Sequence, residues 1–223
     1  TGHLILTERL IGYEGRQAGI VDVVIQVGAI LAVCWLYRAK LWLVVTGLKG
    51  DAGARRFSRN VLIAFIPSVI VGGLAHDFIK QVLFSPYVVV VSLVAGGIAI
   101  IVIERWAKRR AVVAGDVEHL SPSLALGIGL CQLLSLIPGV SRSGATIMGG
   151  VALGVERRAA TEFSFFLAIP TMFGAATLDL YKNRDIIGVD DVMAIGVGLV
   201  VSFVVAMAVV RWLVRYVGRH GFE

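Results

Sequence analysis

Arg142 stands between two serines in the run Pro138-Gly139-Val140-Ser141-Arg142-Ser143-Gly144-Ala145-Thr146, and it is the only charge between His119 and Glu156. A guanidinium in so apolar a stretch costs ~2.5 kcal/mol or more at the centre of a bilayer unless it meets a partner or water. The plain reading is an arginine paired with backbone carbonyls. Its neighbours favour an anion instead. Pro138-Gly139 breaks the backbone, Ser141 and Ser143 supply hydroxyls, and the amides of Gly144, Ala145 and Thr146 open the next helix. Unpaired N–H groups and the helix dipole at such a start attract a phosphate. Arg142 adds a planar fork matched to phosphate oxygens.

His3 follows Thr1-Gly2 directly before another apolar run. A lone histidine there is often a satisfied core residue, but near neutral pH imidazole can also act as a nucleophile or a proton carrier in phosphoryl transfer. Gln26 and Gln132 are uncharged amides inside apolar segments, suited either to interhelical packing or to lining a site. Glu162 and Asp179 bracket an apolar stretch and mark its interfaces. Cys34 and Cys131 lack metal-ligand spacing and read as small hydrophobes.

The elements that must position these residues belong in lipid. The 223 residues are 57% hydrophobic and 16% charged, with a mean hydropathy of +0.86, a balance that water-soluble domains of this size do not reach. Five stretches approach the ~20 residues that cross a ~30 Å hydrocarbon core as a helix: about Ile20 to Tyr37, Asn60 to Ala75, Pro86 to Ile103, Thr161 to Leu180 and Asp191 to Leu213. The net charge of +6 sits in short segments between them rather than on one helix face or in a tail, which excludes a nucleic-acid partner.

The stretch around Arg142 is either a full span or a hairpin that enters and leaves on one side. Lys and Arg accumulate on the cytoplasmic side. A hairpin places fifteen of them on one side against five on the other, and a full span gives twelve against eight. The hairpin is favoured, with basic loops 38–59 and 105–121 cytoplasmic. A self-comparison at an offset of 142 residues then aligns Gly2 with Gly144, Gly12 with Gly154, Glu14 with Glu156, Arg16 with Arg158 and Ala18 with Ala160. Three spans separate the copies, so they enter from opposite faces as an inverted repeat, about 1–104 and 120–223. Such architectures put their site near the midplane, where broken helices meet. The expectation is an all-α polytopic membrane protein, a single transmembrane domain over 1–223, each half carrying a re-entrant helical hairpin. The first hairpin half and a C-terminal helix are expected to lie outside this chain.

The Pro-Gly-x-Ser-Arg-Ser-Gly-Ala-Thr run, Glu162-Phe163-Ser164-Phe165 with Ala168-Ile169-Pro170, Ile25 to Val33 and the opening Thr1-Gly2-His3 resemble the undecaprenyl-diphosphate phosphatases, the bacitracin-resistance family. The resemblance covers nearly the whole chain. It implies a multi-pass enzyme of the bacterial inner membrane that converts undecaprenyl diphosphate to the monophosphate for reuse in cell-wall synthesis, with a pocket facing the periplasm. By motif position, His3 and Arg142 would be catalytic, and Thr1, Ser141, Arg142, Ser143, Gly144 and Thr146 would bind phosphate. It also implies a divalent cation, Mg or Ca, on carboxylates that the family's motif places before residue 1, along with a serine nucleophile candidate. Expected partners are the polyprenyl diphosphate, membrane lipids and, as a candidate, a second copy of the chain. The rival reading is a transporter or flippase of a phosphate-headed polyprenyl lipid, because inverted repeats with paired hairpins are a transporter architecture.

Overall fold

The computed structural model describes Thr7, Leu10 and residues 16–75, 85–108, 111–182 and 192–220. Their secondary structure is helical: α1 (Arg16–Leu36), α2 (Arg38–Gly47), α3 (Ala52–Leu74), α4 (Pro86–Ala107), α5 (Pro122–Gln132), α6 (Arg142–Ala152), α7 (Arg157–Lys182) and α8 (Val192–His220). Short 3-10 turns at Val117–His119 and Leu133–Leu136 flank α5. Local chemistry sets several starts. Asp51 accepts from the N–H groups of Gly53 and Ala54 ahead of α3, both at 3.0 Å, and these donors hold its carboxyl below the usual range. Proline occupies the first turn of α4 and α5, where its missing N–H costs nothing.

Among the described residues four helices are long and apolar enough to cross a membrane, within Ala52–Leu74, Tyr87–Ala107, Arg157–Leu178 and Ile195–Leu213. The pair Val24–Leu36 and Arg38–Gly47 also qualifies but is bent by 72° between its halves. These segments correspond to the five stretches read from hydropathy. One difference concerns the basic stretch 38–59, expected as a loop. It is α2 followed by the opening turns of α3, because Leu41, Val44 and Phe57 pack into the core and the backbone between them satisfies itself as helix. Phe57, 3% exposed, meets Phe166 edge-on at 4.9 Å.

Helix α7 is the core element. In its span 56% of residues are buried, against 17% or less in the other three. Phe163, Leu167 and Ala168 of α7 are at most 1% exposed. By contrast α4 and α8 turn Val91, Val94, Ile98, Val197, Val200 and Val204 outward, each more than half exposed. Exposed apolar faces of this extent are unstable in water and ordinary in hydrocarbon.

Close helix approach depends on glycine. A side chain at Gly129 of α5 would lie 2.7 Å from Cα of Ala64 in α3, a backbone collision that no rotamer relieves. Gly96 of α4 has open space around its missing Cβ. Gly129→Val is therefore expected to destabilise the fold by about 1–3 kcal/mol through overpacking, whereas Gly96→Val leaves stability unchanged or slightly raised. Thermal unfolding of the two variants in detergent, read by loss of monodisperse protein, checks the contrast; equal midpoints would refute it.

Candidate anion site

Helices α5 and α6 fold back on each other antiparallel. Cys131 packs against Gly149, Ile128 against Gly150, and Leu153 beside Gly127, so the small residues let the two backbones close. The chain before the pair and the chain after it are stitched together. Val113 N–H donates to the Gly154 carbonyl at 2.7 Å, Glu156 N–H donates to the Ala114 carbonyl at 2.9 Å, and Ala114 and Val155 form a parallel bridge. Asn60, fully buried on α3, donates its amide to the Leu120 carbonyl at 2.7 Å. Both ends of the unit thus lie at one end of the bundle, with the turn Ile137–Ser141 at the other. Each helix has 11 residues and rises roughly 16 Å.

The turn is built for glycine. Gly139 has φ +97, and a Cβ there would lie 2.6 Å from the Val89 carbonyl oxygen of α4. Val140 N–H closes onto the Ile137 carbonyl at 3.1 Å. Ser141 then caps α6, its Oγ accepting from Gly144 N–H at 3.1 Å and lying 3.3 Å from Ser143 Oγ. Ala145 N–H donates to the Ser141 carbonyl at 2.8 Å. With Gly144 and Ala145 engaged, the amides left open at the helix start are those of Arg142 and Ser143, one or two residues earlier than the sequence spacing suggests.

Arg142 is the first residue of α6. Its Nη1 is buried and has no hydrogen-bond partner among the described residues. A buried guanidinium nitrogen left open in this way is a strong reason to expect an anion beside it. Thr146 holds the arginine in place. Fully buried, its Oγ1 lies 2.9 Å from the Arg142 carbonyl, 3.2 Å from the Ser143 carbonyl and 2.6 Å from Ser164 Oγ on α7. Its side chain is thus committed to fixing the turn against the core helix. Sequence reasoning quoted Ser164 only as part of a motif and had no local signal for this contact.

Gln132, 1% exposed, sits where α5 tightens into its 3-10 turn. Its Nε2 donates to Ser68 Oγ of α3 at 2.6 Å and to Thr171 Oγ1 of α7 at 3.3 Å. Thr171 spends its own proton on the Leu167 carbonyl at 2.7 Å, so it must accept from the glutamine, and this fixes the amide orientation. Oε1 is buried and has no partner among the described residues. Gln132 thus bridges α3, α5 and α7. Gln26 on α1 is half-buried and makes no side-chain hydrogen bond to a described residue. Thr1 and His3 lie outside the described residues.

Charge pairs collect at the stitched end of the hairpin. Arg157 reaches Glu104 of α4 at 2.7 Å, with Glu104 only 2% exposed. Lys40 of α2 reaches Glu162 of α7 at 2.8 Å and lies 3.8 Å from Glu118. Glu162, read from sequence as an interface marker, is thus an ion-pair partner. No group of three or more His, Cys, Asp or Glu that would hold a metal occurs among the described residues.

The family model described as Bacitracin resistance protein BacA matches residues 1–223. A Paramagnetospirillum magneticum protein named undecaprenyl-diphosphatase 2 is 49% identical over 222 residues, covering 100% of this chain and 84% of its own length. Proteins named undecaprenyl-diphosphatase from Rhizorhabdus wittichii and Acinetobacter baumannii are 53% and 51% identical, covering 100% and 99% of this chain and 83% and 80% of theirs.

Replacing Gln132 by leucine keeps the volume and removes both amide hydrogen bonds. Interhelical bonds in membrane proteins average ~0.6 kcal/mol, so Gln132→Leu is expected to cost about 1 kcal/mol in unfolding titrations. A variant as stable as the parent would show that the amide contributes nothing to helix association.

Proposed function

Because the chain belongs to the bacitracin resistance protein BacA family, we propose that it is an integral membrane phosphatase hydrolysing undecaprenyl diphosphate to undecaprenyl phosphate. The monophosphate returns as carrier lipid to cell-wall synthesis, and bacitracin resistance accompanies that activity. The relatives named undecaprenyl-diphosphatase support the reaction. The structural observation that carries it is Arg142 at the hairpin turn, the first residue of α6, whose Nη1 is buried with no partner among the described residues.

In this reading the terminal phosphate docks on the guanidinium fork and on the Arg142 and Ser143 amides, while the Ser141 and Ser143 hydroxyls complete its shell. Hydrolysis breaks the bond between the terminal phosphorus and the bridging oxygen. Charge grows on the bridging oxygen and spreads over the transferred phosphoryl oxygens. Fixed donors aimed at that charge, inside a site shielded from water, are the main source of rate in phosphoryl transfer. His3 and Thr1 would join from the opposite repeat, the imidazole attacking phosphorus or relaying a proton. The divalent cation implied by the family resemblance, Mg or Ca, finds no cluster of carboxylate or imidazole groups among the described residues, and no step is derived through it.

The placement in the membrane belongs to the same proposal. Helices of roughly 16 Å cannot cross a ~30 Å core, and both ends of α5–α6 lie together, so the pair dips into the bilayer and returns as a re-entrant hairpin. The 142-residue repeat supplies an inverted counterpart at the other face. The basic segments 38–59 and 105–121 would be cytoplasmic, the membrane the bacterial inner membrane, and the pocket periplasmic.

Phosphate release from undecaprenyl diphosphate by the purified full-length protein is the direct test. Arg142→Ala is expected to lower kcat/KM by at least about 100-fold, the usual cost of removing one transition-state donor, with Arg142→Lys intermediate because a point charge replaces the fork. A folded protein that moves the labelled lipid across vesicles without releasing phosphate would refute the phosphatase and establish the flippase.

A further inference from the structure

Helix α2 departs from the axis of α1 by 72° across Tyr37. If α1 crosses the bilayer, α2 runs close to parallel with its surface. The inner side of α2 is occupied, with Leu41 and Val44 against the core and Lys40 held by Glu162. Its outer side is bare. Trp42 and Leu43 are 70% and 68% exposed, and Val45 and Leu48 extend the same apolar surface. Trp35 below the bend and Trp106 at the end of α4 are also exposed, at the end of the bundle that holds the Glu104–Arg157 and Lys40–Glu162 pairs. Indoles gathered at one level suit the boundary between acyl chains and headgroups.

Along the chain this segment carries charge of nearly one sign, and among the described residues Glu118 and Glu162 approach it at Lys40, on the inner side of α2. Six Lys and Arg fall between residues 38 and 59, against a single acid, Asp51. That carboxylate is engaged in capping α3. Arg38 stacks over Trp35 at 4.9 Å and donates to its carbonyl at 2.9 Å. Lys49, Arg55, Arg56 and Arg59 are exposed and form no ion pair with a described residue. Among the described residues Lys49, Arg56 and Arg59 thus have no acidic partner, Arg55 has only the capping Asp51 near it, and all four follow in sequence on the apolar, indole-bearing helix lying across the bend.

We infer that α2 and the start of α3 form a binding surface for anionic phospholipid headgroups of the bilayer. The cations face phosphodiester charge while Trp42, Leu43 and Val45 lie among the upper acyl carbons. The surface is at the stitched end of the hairpin, away from the Arg142 turn, so it is separate from substrate recognition. The inference rests on the membrane placement of α1 and not on phosphate hydrolysis.

The test reads Trp42 alone. The full-length protein carrying Trp35→Phe, Trp106→Phe and Trp212→Phe, with phenylalanine also at any tryptophan outside residues 1–223, is reconstituted in phosphatidylcholine vesicles containing dibrominated phosphatidylglycerol or, at equal mole fraction, dibrominated phosphatidylcholine. The anionic quencher is expected to be roughly twofold or more effective, given the attraction of each basic side chain for an anionic surface. This preference should disappear in about 1 M NaCl, where the Debye length falls to ~3 Å. It should also disappear in the same protein with Lys49→Gln, Arg55→Gln, Arg56→Gln and Arg59→Gln. Equal quenching by the two lipids overturns the inference, as does a preference that survives salt. Absence of quenching by both also overturns it, since something other than lipid would then cover α2. The salt arm needs no further substitution, so it decides the matter even if the glutamine variant fails to fold. Phosphate release assayed alongside in detergent is expected to be unchanged by the glutamine substitutions.

Discussion

A backbone in hydrocarbon must satisfy its own hydrogen bonds, and the α5–α6 unit meets that demand by closing on itself. The main-chain bonds joining Val113 and Ala114 to Gly154 and Glu156 bring entry and exit together. The antiparallel helices then supply their own ladders, and the irregular backbone between them is confined to the turn Ile137–Ser141. Arg142 follows directly. Its location is thus a by-product of closure: the first free amides and the guanidinium appear where the second helix begins.

The surrounding bundle holds that turn from three directions. Helix α4 receives Gly139 against Val89, α7 receives Thr146 through Ser164, and α3 reaches Gln132 through Ser68. Each contact uses a small or hydroxylated residue where a larger apolar one would hold the helices apart or leave a polar group unpaired. Buried polar networks of this kind fix one arrangement more than they add stability. For the phosphoryl site proposed at this turn, a single arrangement would matter more.

Much of this was legible in the chain itself. Long apolar runs gave the crossing helices to within a few residues, except that α3 begins at Ala52, eight residues before the Asn60 read from hydropathy. The turn between α5 and α6 was readable from Pro138-Gly139. The bend at Tyr37 was not, because a basic stretch interrupted by Leu41, Val44 and Phe57 reads equally as a loop until the core that buries those residues is known. Ser164, Ser68 and Thr171 were opaque for a similar reason: their partners lie at least eighteen residues away, and no local pattern announces such a pairing. Thr1, His3 and the Gly12 and Glu14 positions of the proposed internal repeat fall outside the described residues.

The buried pair between Glu104 and Arg157 gains meaning from where it sits on α4. Near its start α4 meets the hairpin turn at Val89 and Ser92, farther along it touches the beginning of α6 through Ile100, and at its end it is clamped to α7 by this ion pair. Fifteen residues separate Val89 from Glu104, a rise of roughly 22 Å. Helix α4 is in effect a ruler laid alongside the hairpin. It fixes how far Arg142 lies from the stitched end and, under the proposed membrane placement, the depth at which a headgroup would arrive. A one-turn slip of that ruler would move the arginine by ~5.4 Å, more than the reach of a hydrogen bond, so a charge pair far from the turn sets where the guanidinium stands along the bundle.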